Sequence, residues 1–370
     1  MRDKKKKLPI IDKVFLCINF LLCLGLLLGY LAPFTDPRKF WPVAFFGLAY
    51  PPLLLANVII MLYWLLRRSW FIGLSLITIL IGWGTLQNNI GIRLPAGASQ
   101  TQPQRQLKVM TYNVHSFKKY GAKNDKSTRH DILDLIGQEQ PDIIGIQEFY
   151  TRKKGVYDMI DSIKKTMRAS HYYFEPMMAS SIESVGMAIF SKYPIKSYGL
   201  LQLSPKNSGN QCVYVDVEKD GGMFRMYSVH LQSIAFEPQD YQYLDKLSSK
   251  GKTDIGATKR VGWKLKIAFQ KRAEQVFLIK DHAKGCPYPY IISGDFNDTP
   301  SSFAVNQMAK GLKNTFREKG AGLGRTYNGA FPNYQIDYVM ASPQFTVWDY
   351  KIIEKKLSDH YPLSTVLVLK

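Results

Sequence analysis

Three long apolar stretches near the N-terminus constrain the fold of this chain more than any other feature. They cover about residues 14–31, 41–66 and 70–86 and consist mainly of Leu, Ile, Phe, Val and Trp. Each approaches the roughly 20 residues with which an α-helix crosses a bilayer. The sequence therefore predicts a membrane anchor of three transmembrane helices in residues 1–86. A cleaved signal peptide is the alternative for the first stretch alone.

The basic residues around these stretches predict their orientation. Lys4–Lys7 and Lys13 precede the first stretch, and Arg67 and Arg68 lie between the second and the third. Because Lys and Arg near helix ends favour the cytoplasmic side, the N-terminus is expected inside and the C-terminal part outside a cell membrane that the chain crosses several times. If the second and third stretches formed one re-entrant unit, the C-terminal part would be cytoplasmic.

The remaining chain divides into a linker and one large domain. Residues 87–106 contain Pro, Gly, Ala and Ser without apolar periodicity, which is typical of a linker. Residues 107–370 alternate as in a soluble α/β protein. The four cysteines lack zinc-site spacing and are interpreted as packing residues. A disulfide between Cys212 and Cys286 is the alternative in an oxidising compartment.

Apolar strands in the large domain are followed by polar residues. Predicted strands cover 107–113, 142–148, 186–191, 290–293, 336–341 and 362–369, with a hairpin of 211–217 and 223–230. Helices are predicted from Ser127 or Thr128 up to Pro141 and over 259–282, and 234–259 is expected to be an irregular polar loop. Asn113, Glu148, His230 and Asp295 stand at or just beyond strand ends, which indicates one edge where polar groups converge.

The charge of the chain narrows its ligands without naming one. There are 49 Lys and Arg against 29 Asp and Glu, a formal net charge of +20. A basic domain suits an anionic substrate such as nucleic acid, phospholipid or a phosphorylated small molecule. Solubility and membrane topology explain the same charge equally well. Basic residues between Lys259 and Arg272 are therefore interpreted as a solvated helix face, with contact to substrate or anionic lipid as the alternative.

The polar residues match the requirements of phosphate-ester hydrolysis. A hard cation takes carboxylate oxygens as ligands, a base must orient or deprotonate water, and donors must neutralise the charge that grows on phosphorus. The chain offers the following candidates in order: Asn113, Glu148, His230, Asp295, Asn297, Asp337, Asp359 and His360.

Seven segments together resemble the endonuclease/exonuclease/phosphatase superfamily, in that family's order. They are TYNVHSF at 111–117, IQE at 146–148, GMAIFSKYPI at 186–195, SVHLQ at 228–232, SGDFND at 293–298, IDYV at 336–339 and SDHYP at 358–362. The resemblance covers about residues 107–370. It implies a two-sheet α/β sandwich flanked by helices, with hydrolase activity toward a phosphodiester or phosphomonoester.

The resemblance also implies roles for individual residues. Metal binding falls to Glu148, with Asn113 beside it and Asp359 as a further ligand, and the implied cofactor is Mg²⁺, with Mn²⁺ as an alternative. Asp295 resembles the aspartate that positions or activates water, and Asn113, Asn297 and His230 would contact phosphate. His360 resembles the catalytic histidine, oriented by Asp337. The His230 motif is similar to the deoxyribonuclease, sphingomyelinase and inositol-phosphatase branches.

The sequence also allows a protein without enzymatic activity and other roles for several residues. The competing function is an inactive membrane scaffold or binding module on the same fold, although none of the Glu, Asp and His elements is missing. His115 and His130 match no family position and are interpreted as surface or satisfied histidines, and Arg272 is a further candidate to point into the site. The expected partners are the lipid bilayer and a phosphate-ester substrate, without an obligate protein partner.

Overall fold

Two six-stranded mixed sheets form the large domain. The structure is a computed structural model that describes residues 8–92, 105–118, 126–204, 209–329 and 333–369. The strands are β1 (Gln106–Asn113), β2 (Ile143–Arg152), β3 (His171–Ala179), β4 (Glu183–Ser191), β5 (Ile195–Gln202), β6 (Gln211–Lys219), β7 (Gly222–His230), β8 (Tyr290–Asp295), β9 (Lys313–Asn314), β10 (Asp337–Ala341), β11 (Phe345–Ile352) and β12 (Leu363–Leu369). One sheet has the order β11-β12-β1-β2-β4-β3 and the other β5-β6-β7-β8-β10-β9.

The helices form an N-terminal group and a second group in the large domain, and the second group covers the outer faces of both sheets. In the N-terminal part they are α1 (Ile10–Leu31), α2 (Pro42–Leu48), α3 (Tyr50–Leu66), α4 (Ile72–Ile81) and α5 (Trp83–Asn89). In the large domain they are α6 (Lys126–Glu139), α7 (Met159–Met167), α8 (Pro238–Lys250), α9 (Ile255–Lys284), α10 (Phe303–Ala309) and α11 (Thr315–Lys319). One apolar core lies between the sheets, a second lies under α6 and α7, and a third lies under α9 and α10. The expected sandwich flanked by helices is therefore confirmed.

Apolar runs explain why the central strands are buried on both faces. Ile143, Ile144 and Ile146 of β2 are fully buried, because one face packs on the inner core and the other on the helices. The predicted hairpin is present: Lys219 pairs with Gly222 across Asp220 and Gly221. Both turn residues have positive φ, 52° and 78°, which matches the right-handed twist of the flanking strands.

The predicted loop 234–259 is wrong. It contains α8 and the start of α9, with a reciprocal cap between Glu237 and Asp240 at the first turn of α8. Asp254 caps α9 by accepting the N–H of Ala257 at 2.7 Å. Polar composition concealed these helices, because Asp240 is itself buried, where Arg260 and Lys264 each contact it at 2.7 Å.

The glycine before Asp295 is required by close backbone packing between β7 and β8. Gly294 has a φ of 139°, and a Cβ there would lie 2.0 Å from the carbonyl oxygen of Val229. We therefore expect Gly294→Ala to lower the free energy of unfolding by about 1–3 kcal/mol, the usual cost of overpacking. Thermal unfolding of the full chain measures this loss. Gly221→Ala is the control, because nothing lies within 4 Å of its added Cβ; an equal effect at both positions would show that backbone conformation alone is responsible.

The N-terminal helices differ from the expected three transmembrane helices. Among the described residues, α1 is the one unbroken helix long and apolar enough to cross a membrane, and α2 and α3 pass the same test only as a pair bent by 64°. The third stretch is divided into α4, of ten residues, and the short α5. The break before α3 has a local cause: Pro51 and Pro52 start a new helix, since proline fits the first turn but not the interior.

These helices dock against the large domain at one end. Asn89 Nδ2 donates to Ser301 Oγ at 2.9 Å, and the rings of Phe45 and Phe269 meet edge to face at 5.4 Å. At the opposite end, Asp12 near the start of α1 pairs with Arg67 after α3 at 2.9 Å. The N-terminus and the α3–α4 turn therefore share one end, and the large domain occupies the other.

Part of the predicted linker is folded. Residues 87–92 of the expected linker include the end of α5, and Gly91 bridges to Gly322, so this part is structured. Residues 93–104 lie outside the described residues, as do Lys4–Lys7.

All four cysteines are free thiols, and Cys212 is fully buried. The alternative disulfide with Cys286 is thus absent.

Candidate active site

Parallel strand pairs bring the candidate residues to one edge of the sandwich. In one sheet β1 runs parallel to β2, and in the other β7 runs parallel to β8, so that Asn113 lies near Glu148 and His230 lies opposite Asp295. Asn113 joins the two sheets, because its Nδ2 donates to Glu148 Oε1 and to Asp295 Oδ2, both at 3.1 Å. The polar residues therefore converge as the sequence indicated, but Glu148 is not at a strand end, because β2 continues to Arg152.

A β-bulge turns Glu148 toward this edge. The register of β2 against β4 shifts between Ile146 and Phe149, and Glu148 between them has a φ of 51°. Positive φ also occurs nearby at His115 and Asn297. Such backbone conformations are costly for residues with a side chain and cluster at functional sites. The Glu148 side chain remains 31% exposed, so its carboxylate is accessible from the cleft.

His115 lies between two carboxylates, a position that the sequence did not reveal. Its Nδ1 is 3.5 Å from Glu148 Oε2 and 3.7 Å from Asp359 Oδ2. The hydrogen bond to Glu148 raises the pKa of His115, burial opposes the rise, and Asp359 adds to it. For Glu148, burial alone would raise the pKa, but the hydrogen bond with His115, the nearby His230 and the Asn113 amide lower it to about 2. Glu148 is therefore ionised at neutral pH.

A second group consists of two buried aspartates and a histidine. Asp337 Oδ2 lies 2.9 Å from His360 Nδ1, and His360 Nε2 lies 3.6 Å from Asp295 Oδ2. Ser358 fixes the loop, since its hydroxyl donates to the Asn113 carbonyl at 2.9 Å and accepts the His360 N–H at 3.2 Å. His360 is thus held between the two carboxylates by both its ring and its backbone.

Burial and charge act in opposite directions on these groups. Burial would lower the pKa of His360, but Asp337 and Asp295 raise it well above its ordinary value. Burial raises the pKa of Asp295 to about 6, with the His360 charge opposing the rise and Asp337 adding to it. His360 is therefore an imidazolium at neutral pH, and Asp295 is a carboxylate that holds a proton more readily than an ordinary aspartate.

His230 and Asn297 border the same carboxylate. His230 Nε2 is 3.6 Å from Asp295 Oδ2 and 3.9 Å from Glu148 Oε1. The backbone N–H of Asn297 donates to Asp295 Oδ1 at 2.8 Å, while its side-chain amide donates to the carbonyl of Leu231 at 3.1 Å. The Asn297 amide therefore already has one protein acceptor besides any phosphate.

Arg272, a weak candidate in the sequence, supports the loop behind Asn297. It is 1% exposed, its Nη1 donates to the carbonyl of Asn297, and the same nitrogen lies 3.4 Å from Asp298 Oδ2. Its Nη2 has no hydrogen-bond partner within the described part of the chain. The buried Arg272 guanidinium therefore holds this loop in place through its contacts with Asn297 and Asp298. Removing the guanidinium would leave Asp298 as an uncompensated buried charge.

Two different sets of residues have the donor atoms for a metal ion. Asp295, Asp337 and His360 place one ligand atom each within 4.8 Å of one another. Glu148 and Asp359, with Asn113 behind them, form the more accessible set around His115. We favour the second set, because the His360 Nδ1 already bonds Asp337 and a hydrated hard cation needs open positions.

All eight candidate residues belong to this one site. A cleft of about 350 Å³ is lined by Glu148, His230, Asp295, Asn297, Asp359 and His360, and Asn113 and Asp337 lie directly behind them through the hydrogen bonds described above. His130 is distant from it on the surface of α6, 3.5 Å from Asp134. The cleft also has an apolar side, to which residues of α2, α9 and the segment before α8 contribute.

Two family models match this chain. The model described as Endonuclease/Exonuclease/phosphatase family matches residues 110–360, and a model described as a domain of unknown function (DUF8431) matches residues 12–89. No curated protein matches. The first match contains every polar candidate residue of the cleft, and the second covers nearly all of α1 to α5, including α2, which contributes Leu48 to the lining.

Solved structures share the fold of the large domain. An endonuclease/exonuclease/phosphatase from Beutenbergia cavernae is 20% identical with a TM-score of 0.53, over 72% of this chain and 72% of that chain. Family proteins from Bacteroides thetaiotaomicron and Bacteroides vulgatus are 20% and 16% identical with TM-scores of 0.51 and 0.52. The match covers 73% and 72% of this chain, respectively, and all of each bacterial protein. At these identities the likeness shows the fold alone.

Proposed function

We propose that this chain, which belongs to the endonuclease/exonuclease/phosphatase family, hydrolyses a phosphate ester at a membrane surface with the help of a divalent cation. The observation that carries the proposal is the pairing of an ionised, accessible Glu148 with the buried Asp295–His360–Asp337 group across one cleft. The carboxylate oxygens of Glu148, the base Asp295 and the imidazolium of His360 thus face the same space. An inactive scaffold would not need all three.

Glu148 and Asp359 would hold the cation, with Asn113 beside them. Their carboxylates, within 4 Å of His115 Nδ1, offer the hard oxygen donors that Mg²⁺ and Mn²⁺ take. The ion would neutralise charge on phosphate oxygens and orient the ester. Asn113 already fixes the Glu148 carboxylate through its amide.

Asp295 and His360 would serve the attacking water and the growing charge. Ionised Asp295 accepts a proton as the oxygen of water bonds to phosphorus, the phosphorus–oxygen bond to the leaving alcohol breaks with its electron pair, and the alcohol leaves protonated. His360, an imidazolium oriented by Asp337, donates to the phosphate oxygens. His230, which borders Asp295 and Glu148, is placed to protonate the leaving oxygen, and Asn297 to bind phosphate.

The N-terminal helices support a membrane location. Large apolar residues such as Ile10, Val14, Leu21 and Leu24 of α1 are more than half exposed, and an exposed apolar surface of this kind needs a lipid or protein partner. We propose that α1 crosses a cell membrane and that α3 to α5 lie in the bilayer with it. The N-terminus and the large domain lie at opposite ends of these helices. With the basic N-terminus on the cytoplasmic side, the cleft would face the extracytoplasmic side.

Protease accessibility tests this orientation. Protease added to intact spheroplasts should digest the large domain while a tag before Lys4 stays protected. Lysed spheroplasts control for resistance of the fold. Protection of the large domain until lysis would show instead that the cleft is cytoplasmic. Digestion of the tag in the same intact spheroplasts would then show that the helices are inserted in the opposite direction.

A substrate panel on the purified full chain tests the chemistry. It includes DNA, RNA, sphingomyelin, phosphoinositides and small phosphate esters, each with Mg²⁺, Mn²⁺ or EDTA. Cation-dependent release of phosphate or alcohol from one class is the expected result. If no class is hydrolysed while the protein is folded, the scaffold interpretation replaces the enzymatic one.

Glu148→Gln should act through the metal. The amide keeps the shape of the side chain but removes the charge, so we expect the cation concentration for half-maximal rate to rise by about tenfold or more, with partial rescue by excess Mg²⁺. Calorimetric titration with Mn²⁺ measures the same loss without turnover. Glu175→Gln, on the remote strand β3, is the matched control; equal loss of Mn²⁺ affinity in both variants would remove Glu148 from the metal site.

A further inference from the structure

The cleft has two chemically different sides. One side holds the polar groups described above, from Glu148 to His360. The lining also includes apolar residues of α2, α9 and the segment before α8, which we call the apolar wall: Leu48, Ile234, Phe236, Leu265 and Phe269. A phosphate and its cation do not need an apolar wall. Its presence indicates that the substrate carries an apolar part next to the phosphate.

The apolar wall is built partly by the N-terminal helices. Leu48 is the last residue of α2, and Phe45 one turn earlier packs edge to face on Phe269 of α9. Gly47 lets the two parts approach, since a Cβ there would lie 3.0 Å from the carbonyl oxygen of Ser301. The wall therefore continues from the cleft directly onto helices that we place in the membrane.

The surface beside this junction has the composition of a membrane interface. Phe40, Trp41 and Trp263 are 56%, 38% and 59% exposed. Lys266 Nζ lies 5.2 Å from the centre of the Trp41 ring and 4.7 Å from that of Trp263. Tryptophan with a flanking lysine is typical of the level of lipid headgroups. The mouth of the cleft would thus open at the bilayer surface.

The charges of the cleft do not fit a nucleic acid strand. Among the described residues that line it, Arg272 is the one lysine or arginine, and it is buried and paired with Asp298. Two basic residues of α9 near the apolar wall, Arg260 and Lys264, are engaged by Asp240. A strand with a phosphate at every residue is bound by a track of free cations, and the described lining offers none.

We infer that the substrate is an amphiphilic phosphate ester, whose phosphate binds at the metal site and whose hydrocarbon chain lies along the apolar wall toward the bilayer. The inference rests on the proposed function for its chemistry and adds the substrate class. It makes the N-terminal helices part of the substrate site as well as an anchor. A phosphate ester without a chain would use only the polar side of the cleft.

Chain-length dependence tests this inference on the full chain. p-Nitrophenyl esters of ethyl, butyl and octyl phosphate, below their micelle concentrations, report turnover with Mg²⁺. We expect kcat/KM to rise about fourfold for each added methylene until the wall is filled, the factor for burying one CH₂ group. Calorimetric binding of ethyl-, butyl- and octylphosphonate gives the same series without turnover.

Substitutions locate the effect. Leu48→Trp should fill the apolar wall and flatten the rise from ethyl to octyl, and Phe236→Ser should weaken it. Leu278→Trp is the matched control, because Leu278 lies on α9 away from the cleft and is 51% exposed; it should keep the wild-type ratio. The phosphonate series decides whether a variant has lost its fold or only its preference.

The outcomes separate the two proposals. If no ester is hydrolysed but octylphosphonate binds more tightly than ethylphosphonate, the proposed hydrolysis falls and the chain site stands. If ethyl and octyl esters react equally and the phosphonates bind equally, the chain site is wrong and the hydrolysis stands. Faster cleavage of an oligonucleotide than of the octyl ester would also overturn the inference.

Discussion

Replacing His360 by alanine should lower kcat by about 10²–10⁴, the range for a positioned acid–base group. The imidazolium is 4% exposed and lies between Asp337 and Asp295. Without it, charge growing on the phosphate loses its nearest buried cation. Excess Mg²⁺ should not restore the rate, in contrast to Glu148→Gln, because the missing group is no metal ligand in the proposed site.

The neighbours of His360 supply the controls. Asp337→Asn should be milder than His360→Ala, because it removes orientation and charge support while the imidazole remains. His360→Gln keeps a donor of similar length and tests whether hydrogen bonding alone suffices. Single-turnover kinetics on the substrate identified by the panel measure all three. Wild-type rates in His360→Ala, with the fold intact, would contradict the assignment and favour the scaffold interpretation.

The local sequence predicted the site because most of the motifs begin or end a strand, whereas Glu148 lies at a bulge inside β2. Asn113 is the last residue of β1, which runs parallel to β2. His230 and Asp295 are the last residues of β7 and β8, which run parallel to each other. The topology that the family resemblance implies therefore brings these residues together. The position of His115 could not be predicted in this way. It depends on the bulge that turns Glu148 and on the loop that carries Asp359, which are far apart in the chain.

The elements that the sequence missed lie mainly at sheet edges. β3 contains Pro176 at an irregularity in its pairing with β4, and β5 contains Gly199, so both edge strands have weak strand signals. The break before α3 does have a local signal in the sequence, the Pro51-Pro52 pair. The close fit of α2 on α9, which shapes the cleft, depends on contacts between distant segments and has no local pattern.

Replacing Asp295 by asparagine should change activity and stability in opposite directions. Asp295→Asn should lower kcat by about 10²–10⁴, since the amide cannot accept the proton of the attacking water. The same change should raise the melting temperature of the metal-free protein near neutral pH. Burial makes the ionised carboxylate unfavourable there, and we expect the uncharged amide to gain more by avoiding that cost than it loses in the hydrogen bond that Asn113 donates to Oδ2.

The pH dependence identifies the cause of both effects. The pKa of Asp295 is raised from 3.8 to about 6 in the folded protein, so the neutral carboxyl favours folding at low pH and this contribution is lost as pH rises through 6. The stability gain of Asp295→Asn should therefore be absent near pH 4 and full above pH 6. Wild-type activity needs the carboxylate, so its rate should rise with pH to a plateau whose midpoint lies at or below about 6, because a bound cation favours ionisation. A variant no more stable than wild type at pH 7, or one that retains the wild-type rate, would show that Asp295 is an ordinary buried hydrogen-bond partner.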